Sequence, residues 1–462
     1  MMIKRKRCGI ICKEKIKKKG EPCKMTPKKE SPETQYELYK KELKAIINLN
    51  HKLVKLANSI NWKFFEEEFE ATYSEKGRPG ISTRLMVGLH YLKYGCDLSD
   101  EEVLEQWVEN PYWQYFCGMK FFEHKIPIDS SSLTRWRKRI GESGAEKMLE
   151  ETLETGLRTK VIKKKELEKV NVDTTVQTKE IRFPTDARLY NRMREKLVKA
   201  AGEAGIELRQ TYVRVGKKAL FQQQNYARAS QYNRAKRQTK KLKTYLGRVV
   251  RDIKRKTTQE DKNIKQLIKL SEKLLKQKRE SKNKIYSIHE PKVECIARGK
   301  TTKKYEFGNK VGIITSAKSN WITGAKAFFS NPYDGHTLKD NIKQSEKITG
   351  IKIKQATCDK GYRGHNYDGK AEIIITDGRK KRISKAVKKW MKRRNAIEPI
   401  IGHQKAGHRL ERNKLKGQLG DSINIIMSAC GFNIKKLTRV FWALIQMWLK
   451  MIYNNNFQLT LN

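Results

Sequence analysis

The sequence has few acidic residues for its size: its 462 residues include 50 Asp and Glu against 102 Lys and Arg, a formal net charge of +52. It also lacks an uninterrupted apolar run of the roughly 18 residues that a membrane-spanning helix needs, and its basic N-terminus lacks the apolar segment of a signal peptide. The best apolar run, residues 440–449, is closed by Arg439 and Lys450, and we expect a buried C-terminal helix there. No membrane partner is expected.

Cysteine is scarce and scattered, with eight residues in the whole sequence. That number and distribution exclude a disulfide framework and favour a reduced, cytosolic protein. Cys8, Cys12 and Cys23 raise the question of a zinc site, but no fourth Cys or His stands at ligand spacing, so free thiols are the preferred interpretation. The sequence also contains no Walker A motif, and we expect no nucleotide cofactor.

What the sequence has in excess is positive charge, and a charge of this size indicates a polyanion partner, because neutralising phosphates releases counterions. The apolar fraction of 37% is enough for hydrophobic cores, and the length suits about three domains. Residues 1–35 are rich in Lys and predict a disordered basic arm. Residues 441–462 predict a C-terminal helix and tail.

Residues 36–165 predict an all-helical domain, because apolar residues recur there at three- and four-residue steps. Ser99-Asp-Glu-Glu102 is a capping box that begins one of the helices. A series of short helices ending in a basic one resembles a helix-turn-helix DNA reader, and we therefore expect DNA contacts from Arg135, Arg137 and Lys138. The alternative is a helical dimerisation module with a solvated charged face.

The pattern changes at residues 169–177, which are β-branched and predict a strand with Asp173 near its C-terminal end. Four further strands are predicted, with a helix between the second and third of them, at residues 305–314, 321–329, 351–358 and 371–376. A basic helix that runs through Glu398 follows the last strand. This order predicts an α/β fold with a mixed sheet, not a doubly wound one.

A long insertion separates the first predicted strand from the others. Residues 188–286 contain 30 Lys and Arg against 8 Asp and Glu and have a helical, low-complexity pattern. This basic helical insertion is interpreted as a surface that follows a DNA backbone or as a solvated antiparallel coiled coil, and both interpretations can hold together.

Two strands that end in Asp and a later helix with a Glu supply the ligands of a carboxylate metal site. Strand ends of one sheet lie side by side, so Asp173 and Asp359 can approach, and a helix packed on that sheet can add Glu398. Mg²⁺ prefers oxygen ligands, and two such ions can activate a water and stabilise the leaving oxygen of a phosphodiester. The alternative is an ordinary turn at each Asp.

The motifs around these carboxylates make the metal site the stronger interpretation. Asp359-Lys-Gly-Tyr-Arg-Gly364 closes a strand, and Arg394-x3-Glu398-x6-Lys405 lies in the basic helix. Other motifs occur in order along the chain: Leu98-Ser-Asp-Glu-Glu102, Glu109-Asn-Pro-Tyr-Trp-Gln-Tyr-Phe116, Asp173-Thr-Thr-Val-Gln177, Tyr305-Glu-Phe-Gly-Asn-Lys310 and Asn331-Pro-Tyr-Asp-Gly-His-Thr-Leu338. With these motifs, over roughly residues 40–440, the chain resembles the DDE transposases of bacterial insertion sequences, most closely the insertion-sequence-five family and its relatives.

This resemblance implies an RNase H-like catalytic domain over residues 166–440, interrupted by the insertion at 188–286. It also implies that Asp173, Asp359 and Glu398 are the catalytic residues and the metal ligands, with Mg²⁺ as the metal and Mn²⁺ as a substitute. The family signature around the Glu is Tyr-x2-Arg-x3-Glu-x6-Lys. In this chain its Tyr position is Met391.

Three further residues are expected to contact DNA. Arg394 is one helical turn from Glu398 and can share its face, and Lys405 returns to a similar angle two turns after Glu398. The functional interpretation is that Arg394 binds phosphates as a fork and Lys405 as a point charge; the alternative is an ion pair and a solvated Lys. Tyr362 is expected to orient or stack on DNA, or to pack beside Gly361.

Together these features predict a bacterial transposase, in the cytoplasm and associated with the nucleoid, that binds double-stranded DNA as a homodimer or higher oligomer. It is expected to cut the terminal inverted repeats of its element and to join the 3′-OH ends to target DNA by transesterification. One alternative is a catalytically inactive DNA-binding protein, a decayed transposase acting as repressor or packing factor. Another is a metal-dependent nuclease that cuts without joining.

Overall fold

The computed structural model describes residues 41–73, 80–257, 261–278, 280–297, 304–376 and 384–459. The predicted basic arm at 1–35, with its three cysteines, lies outside these ranges. Within them, no helix combines the length and the apolar character that crossing a membrane requires.

Residues 43–167 fold into helices whose ends are set by local capping. The Ser99 hydroxyl accepts from the backbone N–H of Glu102, and the Glu102 carboxylate accepts from the backbone N–H of Ser99, which is the predicted capping box. Asn110 caps the next helix, where Pro111 occupies the first turn. The helices are α1 (Leu43–Ile46), α2 (Lys52–Ser59), α3 (Trp62–Glu70), α4 (Thr83–Cys96), α5 (Asp100–Glu109), α6 (Pro111–Phe116), α7 (Ser130–Arg158) and α8 (Lys164–Leu167).

The predicted mixed sheet is confirmed. Its strands are β1 (Lys169–Thr178), β2 (Glu294–Ala297), β3 (Tyr305–Ser316), β4 (Ile322–Phe328), β5 (Gln355–Cys358) and β6 (Glu372–Ile375). The order is β2-β3-β1-β5-β6, and β4 also pairs with β3. The pairs formed by β3 are antiparallel, whereas β1, β5 and β6 run parallel to one another. The short strand β2 was not predicted from the sequence.

Helices connect and follow the strands on the C-terminal side of the sequence. They are α13 (Asp334–Thr349) between β4 and β5, then α14 (Lys385–Arg394), α15 (Ile397–Gly407) and α16 (Gly417–Leu459) after β6. The predicted single basic helix through Glu398 is therefore wrong in one respect, because a turn at Asn395 and Ala396 separates α14 from α15. This break places Glu398 in the first turn of α15.

One hydrophobic core joins the N-terminal helices to the sheet through α16. Leu89 of α4, Ile322 of β4 and Ile426 of α16 are buried in the same cluster. A pair of buried hydrogen bonds crosses the interface: the Asn433 side chain on α16 exchanges hydrogen bonds of 3.1 and 2.9 Å with the backbone of Ile322. The sheet is therefore held from its β4 edge by the same helix that packs on α4.

The chain between β1 and β2 forms four helices with a hydrophobic core of their own. They are α9 (Asp186–Glu203), α10 (Val213–Arg228), α11 (Tyr232–Lys256) and α12 (Lys262–Lys276). Their buried side chains, such as Leu197, Leu246 and Leu274, form a cluster separate from those of the sheet. Lys179 anchors this helical module near its base, since its ammonium group lies 2.7 Å from Asp421 and 3.7 Å from Glu290.

The expectation that residues 440–449 form a buried helix is wrong for their side chains. They do lie in α16, but the exposed fractions of Trp442, Leu444 and Met447 are 47%, 49% and 53%. The core-facing part of α16 ends near Leu437, which is fully buried. The run thus extends past the fully buried part of α16, although Phe441 still packs on the core and Lys52 of α2 lies over the Trp442 ring.

A close helix crossing gives the first testable expectation. A Cβ atom at Gly431 would lie 2.4 Å from the carbonyl oxygen of Tyr94, so α16 and α4 touch backbone to backbone there. We expect Gly431→Ala to lower the free energy of unfolding by about 1–3 kcal/mol, because overpacking forces the two helices apart. Chemical denaturation followed by circular dichroism measures the change.

Gly202→Ala in α9 is the matched control, because a Cβ there meets no atom within 4 Å. Its effect should be neutral or stabilising, since Ala is the better helix former. Equal losses in the two variants would contradict the crossing as the cause.

Candidate active site

Two of the three predicted carboxylates lie where two parallel neighbouring strands stop pairing. The last paired residues of β1 and β5 are Asn171 and Thr357. Asp173 follows two residues later within β1, and Asp359 follows two residues later, just after the end of β5. The prediction that Asp173 lies near the end of its strand is wrong. β1 continues to Thr178, because β3 keeps pairing with it, Asp173 opposite Ile313, after β5 has ended.

The guanidinium group of Arg394 joins these two carboxylates to the third. Its Nη2 atom lies 2.9 Å from Oδ2 of Asp173 and 3.6 Å from Oδ2 of Asp359, and its Nη1 atom lies 3.3 Å from Oε1 of Glu398. The contact between Arg394 and Glu398 that the four-residue spacing predicts is present despite the break between α14 and α15. Three carboxylates that are far apart in the sequence therefore converge on one cation.

The site is closed at one end and open at the other. The side chains of Arg394 and Asp173 are 12% and 13% exposed, that of Asp359 is 36% exposed and that of Glu398 is 64% exposed. A substrate can therefore approach from the side of Glu398 and Asp359. Asp173 forms the floor.

Backbone and side-chain hydrogen bonds orient the two Asp residues. The N–H of Thr174 donates to Oδ1 of Asp173 at 2.8 Å, and the N–H of Gly361 donates to Oδ1 of Asp359 at 2.9 Å. The side-chain amide of Asn171 donates to the carbonyl oxygen of Arg393 and so ties the end of α14 to β1. In each Asp one carboxylate oxygen is held by the backbone while the other faces Arg394.

A fourth carboxylate beside the site was missed by the sequence reasoning. Oδ1 of Asp334, at the start of α13, accepts from the Thr174 hydroxyl at 2.9 Å and from the Lys310 ammonium at 2.8 Å. A Cβ at Gly361 would lie 3.0 Å from Asp359 and 3.1 Å from Asp334, so these two side chains flank that glycine. Lys310 and Asp334 each lie in one of the motifs named in the sequence analysis. That occurrence was the signal from which their place beside the site could have been predicted.

Burial raises the pKa of Asp173. Removal from water raises the pKa of its carboxyl group from 3.8 to about 6, the positive charge of Arg394 opposes that rise, and the negative charges of Asp359 and Glu398 add to it. The carboxylates thus repel one another and are held together by a cation. This is the electrostatic setting in which a bound divalent cation relieves repulsion.

The donor set fits a hard divalent cation such as Mg²⁺, because Asp173, Asp359 and Glu398 offer carboxylate oxygens and no sulfur or nitrogen. The arrangement in the described residues is not yet that of a metal site, since no group of three or more His, Cys, Asp and Glu is spaced to hold an ion there. Arg394 occupies the position between the carboxylates. Metal binding at this place requires the guanidinium group to move away from Asp173 and Asp359.

The other residues predicted to contact DNA differ in exposure. Arg135 and Lys138 are exposed on α7, and Lys405 is half-buried in the last turn of α15. Tyr362 is fully buried in the core cluster of β1 and β5, which leaves its ring no surface for DNA. The alternative interpretation, a packing Tyr beside Gly361, describes its environment.

Arg137 does not lie on the exposed basic face where the sequence placed it. It is 3% exposed, and its guanidinium group donates to both oxygens of Asp100 at 2.8 and 2.6 Å. The reason is helical geometry: residues two apart point to different sides, so Arg135 and Arg137 cannot share a face. Lys93 also contacts Asp100, at 2.7 Å, and completes a largely buried charge cluster.

The raised pKa of Asp173 predicts a pH-dependent cost to folding. A carboxyl group with a pKa of about 6 when folded and 3.8 when exposed makes the folded state less stable as pH rises through that interval, and the cost remains above it. We expect Asp173→Asn to raise the free energy of unfolding by on the order of 2 kcal/mol at pH 7.5, with the gain shrinking as pH falls from 6 to 4.

Chemical denaturation at several pH values measures this gain. Asp340→Asn is the control for removing one negative charge, because Asp340 is exposed and lies outside the site. A gain for Asp173→Asn that stays constant between pH 4 and 7.5 would contradict the assignment.

Comparison with known proteins agrees with the geometry. Residues 41–139 match the family described as Transposase domain (DUF772), and residues 353–438 match the family described as Transposase DDE domain. A protein of Rhizobium meliloti, named as an uncharacterized protein ORF8 in the nfe locus, is 53% identical over 196 residues, which cover 42% of this chain and 95% of that protein. No solved structure matches the chain. The chain belongs to the DDE transposases of insertion sequences.

Proposed function

We propose that this transposase binds the terminal inverted repeats of its own element, cuts the DNA there and joins the exposed 3′-OH ends to target DNA. The observation that carries the proposal is the convergence of Asp173, Asp359 and Glu398 on the guanidinium group of Arg394. A protein that only binds DNA needs cations, and it gains nothing from three carboxylates brought together among them.

Asp173, Asp359 and Glu398 would hold two divalent cations, Mg²⁺ or Mn²⁺. When bound, such ions activate a water molecule for attack on phosphorus and stabilise the leaving oxygen. The protein contributes the orientation of the two Asp side chains, because backbone N–H groups hold one oxygen of Asp173 and of Asp359. Glu398 is exposed and lies where the substrate would enter.

The two chemical steps need no covalent protein intermediate. In the first, a water oxygen forms a bond to phosphorus and the 3′ oxygen of the element end leaves and takes up a proton. In the second, that 3′-OH loses its proton and attacks a phosphorus of the target strand. The 3′ oxygen of the target strand leaves and takes up a proton, so one phosphodiester bond replaces another. The chain therefore requires no Ser or Tyr nucleophile and no nucleotide cofactor.

Arg394 has two alternative partners in this proposal. Without DNA its guanidinium group contacts all three carboxylates and offsets part of their negative charge. With DNA bound, phosphate oxygens offer the same planar, bidentate recognition, and Arg394 moves onto the backbone of the element end while the carboxylates take up cations. Lys405, two turns beyond Glu398 on α15, contributes a second positive charge along the same path.

Residues 36–165 are proposed to bind DNA and residues 166–440 to catalyse the reaction. Arg135 and Lys138 on α7 are exposed and available for phosphates, whereas Arg137 and Tyr362 are excluded by burial. Because two element ends have to be joined to one target, we propose at least a homodimer on DNA. Such a reaction places the protein on the nucleoid in the bacterial cytoplasm.

A cleavage assay with DNA from the end of the parent element tests the central proposal. We expect nicking at the element boundary in Mg²⁺ or Mn²⁺, none in EDTA, and a loss of at least about a thousandfold in Glu398→Gln, because the transition state loses a charged ligand. Asp359→Asn should lose as much activity, while binding of the end DNA persists in both variants.

Glu411→Gln is the matched control, since Glu411 is an exposed carboxylate close in sequence and outside the site, and it should cut normally. Tight binding without cutting in either metal would favour the inactive DNA-binding protein, and restored cutting in Met391→Tyr would then identify decay at the signature Tyr. Cutting without joining, and without preference for terminal repeats, would indicate a nuclease.

Variants at the exposed and buried cations of α7 distinguish a role in DNA binding from a role in stability. In the cleavage-deficient Glu398→Gln chain, we expect Arg135→Ala with Lys138→Ala to weaken end binding and to reduce the salt dependence of log K by about 2, because each phosphate contact contributes about 0.9. Arg137→Ala should instead lower the free energy of unfolding by about 3 kcal/mol, because it breaks a buried ion pair.

Fluorescence anisotropy at several KCl concentrations and chemical denaturation give the two readouts. These assignments would be contradicted by a lower free energy of unfolding in the Arg135→Ala, Lys138→Ala double variant. An unchanged free energy of unfolding in Arg137→Ala would contradict them as well.

A further inference from the structure

The helical module between β1 and β2 concentrates positive charge on one helix. Residues 188–286 contain 30 Lys and Arg against 8 Asp and Glu, and α11 lies in the middle of that stretch. The core-facing side of α11 is apolar, with Leu242, Leu246, Val249 and Ile253 buried. The Lys and Arg side chains of α11 therefore lie outside the core of the module.

Some of the exposed cations of α11 lie along one stripe of the helix. Positions 237, 240, 244, 248, 251 and 255 follow one another at three- and four-residue steps, so they lie on one face, and all are exposed. Five of the six are Lys or Arg, the exception being Thr244. We call Arg237, Lys240, Arg248 and Arg251 the α11 ridge; they span about 21 Å of helix.

The carboxylates of the module lie elsewhere. Asp252 contacts Lys256 at 3.8 Å and Arg209 at 4.0 Å, and Glu272 of α12 pairs with Lys254. In the ranges that the structure describes, no carboxylate lies within ion-pair distance of the four ridge residues. Arg248 instead donates to the Tyr212 hydroxyl at 3.3 Å, which fixes its side chain across the helix surface.

The like charges of the α11 ridge destabilise the helix on which they lie. Like charges three and four residues apart each destabilise an isolated helix by a few tenths of a kcal/mol, and no neighbouring acid offsets this. A linear polyanion does offset it: duplex DNA carries one negative charge per about 1.7 Å of its axis, or roughly twelve charges along the length of the ridge. The shape and charge of α11 match a duplex backbone better than a compact anion.

We infer that the α11 ridge binds the phosphate backbone of double-stranded DNA, independently of sequence and outside the carboxylate site. The module thus gives the transposase a second DNA contact besides the N-terminal helices. This inference does not depend on cleavage, since it concerns binding by a surface that contains none of the three catalytic carboxylates.

The test uses the full chain with Glu398→Gln, so that bound DNA stays intact, and a random-sequence duplex. The ridge variant carries Arg237→Gln, Lys240→Gln, Arg248→Gln and Arg251→Gln. We expect its affinity for the duplex to fall at least about tenfold at 150 mM KCl, and the slope of log K against log[KCl] to decrease by about 2 to 4, because each released phosphate contact contributes about 0.9.

Two matched variants test whether the position of the charges on α11, and not only their number, determines DNA binding. Lys262→Gln, Lys265→Gln, Lys269→Gln and Lys276→Gln remove the same charge from exposed positions on α12 of the same module, and should change the slope by less than 1. Arg237→Lys, Arg248→Lys and Arg251→Lys keep the charge of the ridge and should keep the slope. Circular dichroism checks that all three variants retain their helices.

An equal loss in the α12 variant would show a general charge effect and overturn the inference. An unchanged slope in the ridge variant would do the same. Tighter ridge-dependent binding of a random single strand, or equal competition by poly-glutamate, would overturn the duplex as the partner. Failure of the cleavage assay leaves this result unaffected, so the two proposals can fail separately.

Discussion

Electrostatic attraction to one buried guanidinium group holds the site together. Asp173, Asp359 and Glu398 come from two strands and a helix, and each would repel the others if left alone. Arg394 contacts all three, so that the end of α14, the start of α15 and the edge between β1 and β5 are fixed relative to one another. Because the helix is broken between Arg394 and Ile397, the Arg394 side chain contacts buried Asp173 while Glu398 stays exposed.

The hydrophobic core is shared between the N-terminal helices and the sheet. α16 packs against the N-terminal helices and against β4, while β3 links β4 to β1, the strand that carries Asp173. Continuous packing and strand pairing therefore connect the N-terminal helices to the strand that forms the floor of the site. The helices that include α7 and the strand that carries Asp173 are thus joined by one continuous core.

The sequence predicted the mixed sheet and the three carboxylates because both leave local signals: β-branched alternation and motifs at fixed spacing. It predicted β1 through residue 177, but it could not show that β5 pairs with only the first three residues of β1 while β3 pairs with it to Thr178, since both partner strands lie far away in the sequence. Arg137 was misplaced because a cluster of cations in sequence does not reveal which side a helix buries. Asp334 and Lys310 were overlooked because their contact exists only after β3 and α13 have packed.

The helical module between β1 and β2 also bears on how the chain folds. β1 pairs with β3, and the two strands are separated by more than a hundred residues, a gap whose closure costs entropy if it is flexible and slows folding. Because α9 to α12 have their own core and Lys179 meets Glu290 at the base of the module, the gap closes when the module folds. A segment that lengthens the chain thus acts as a short, rigid connection between the two strands.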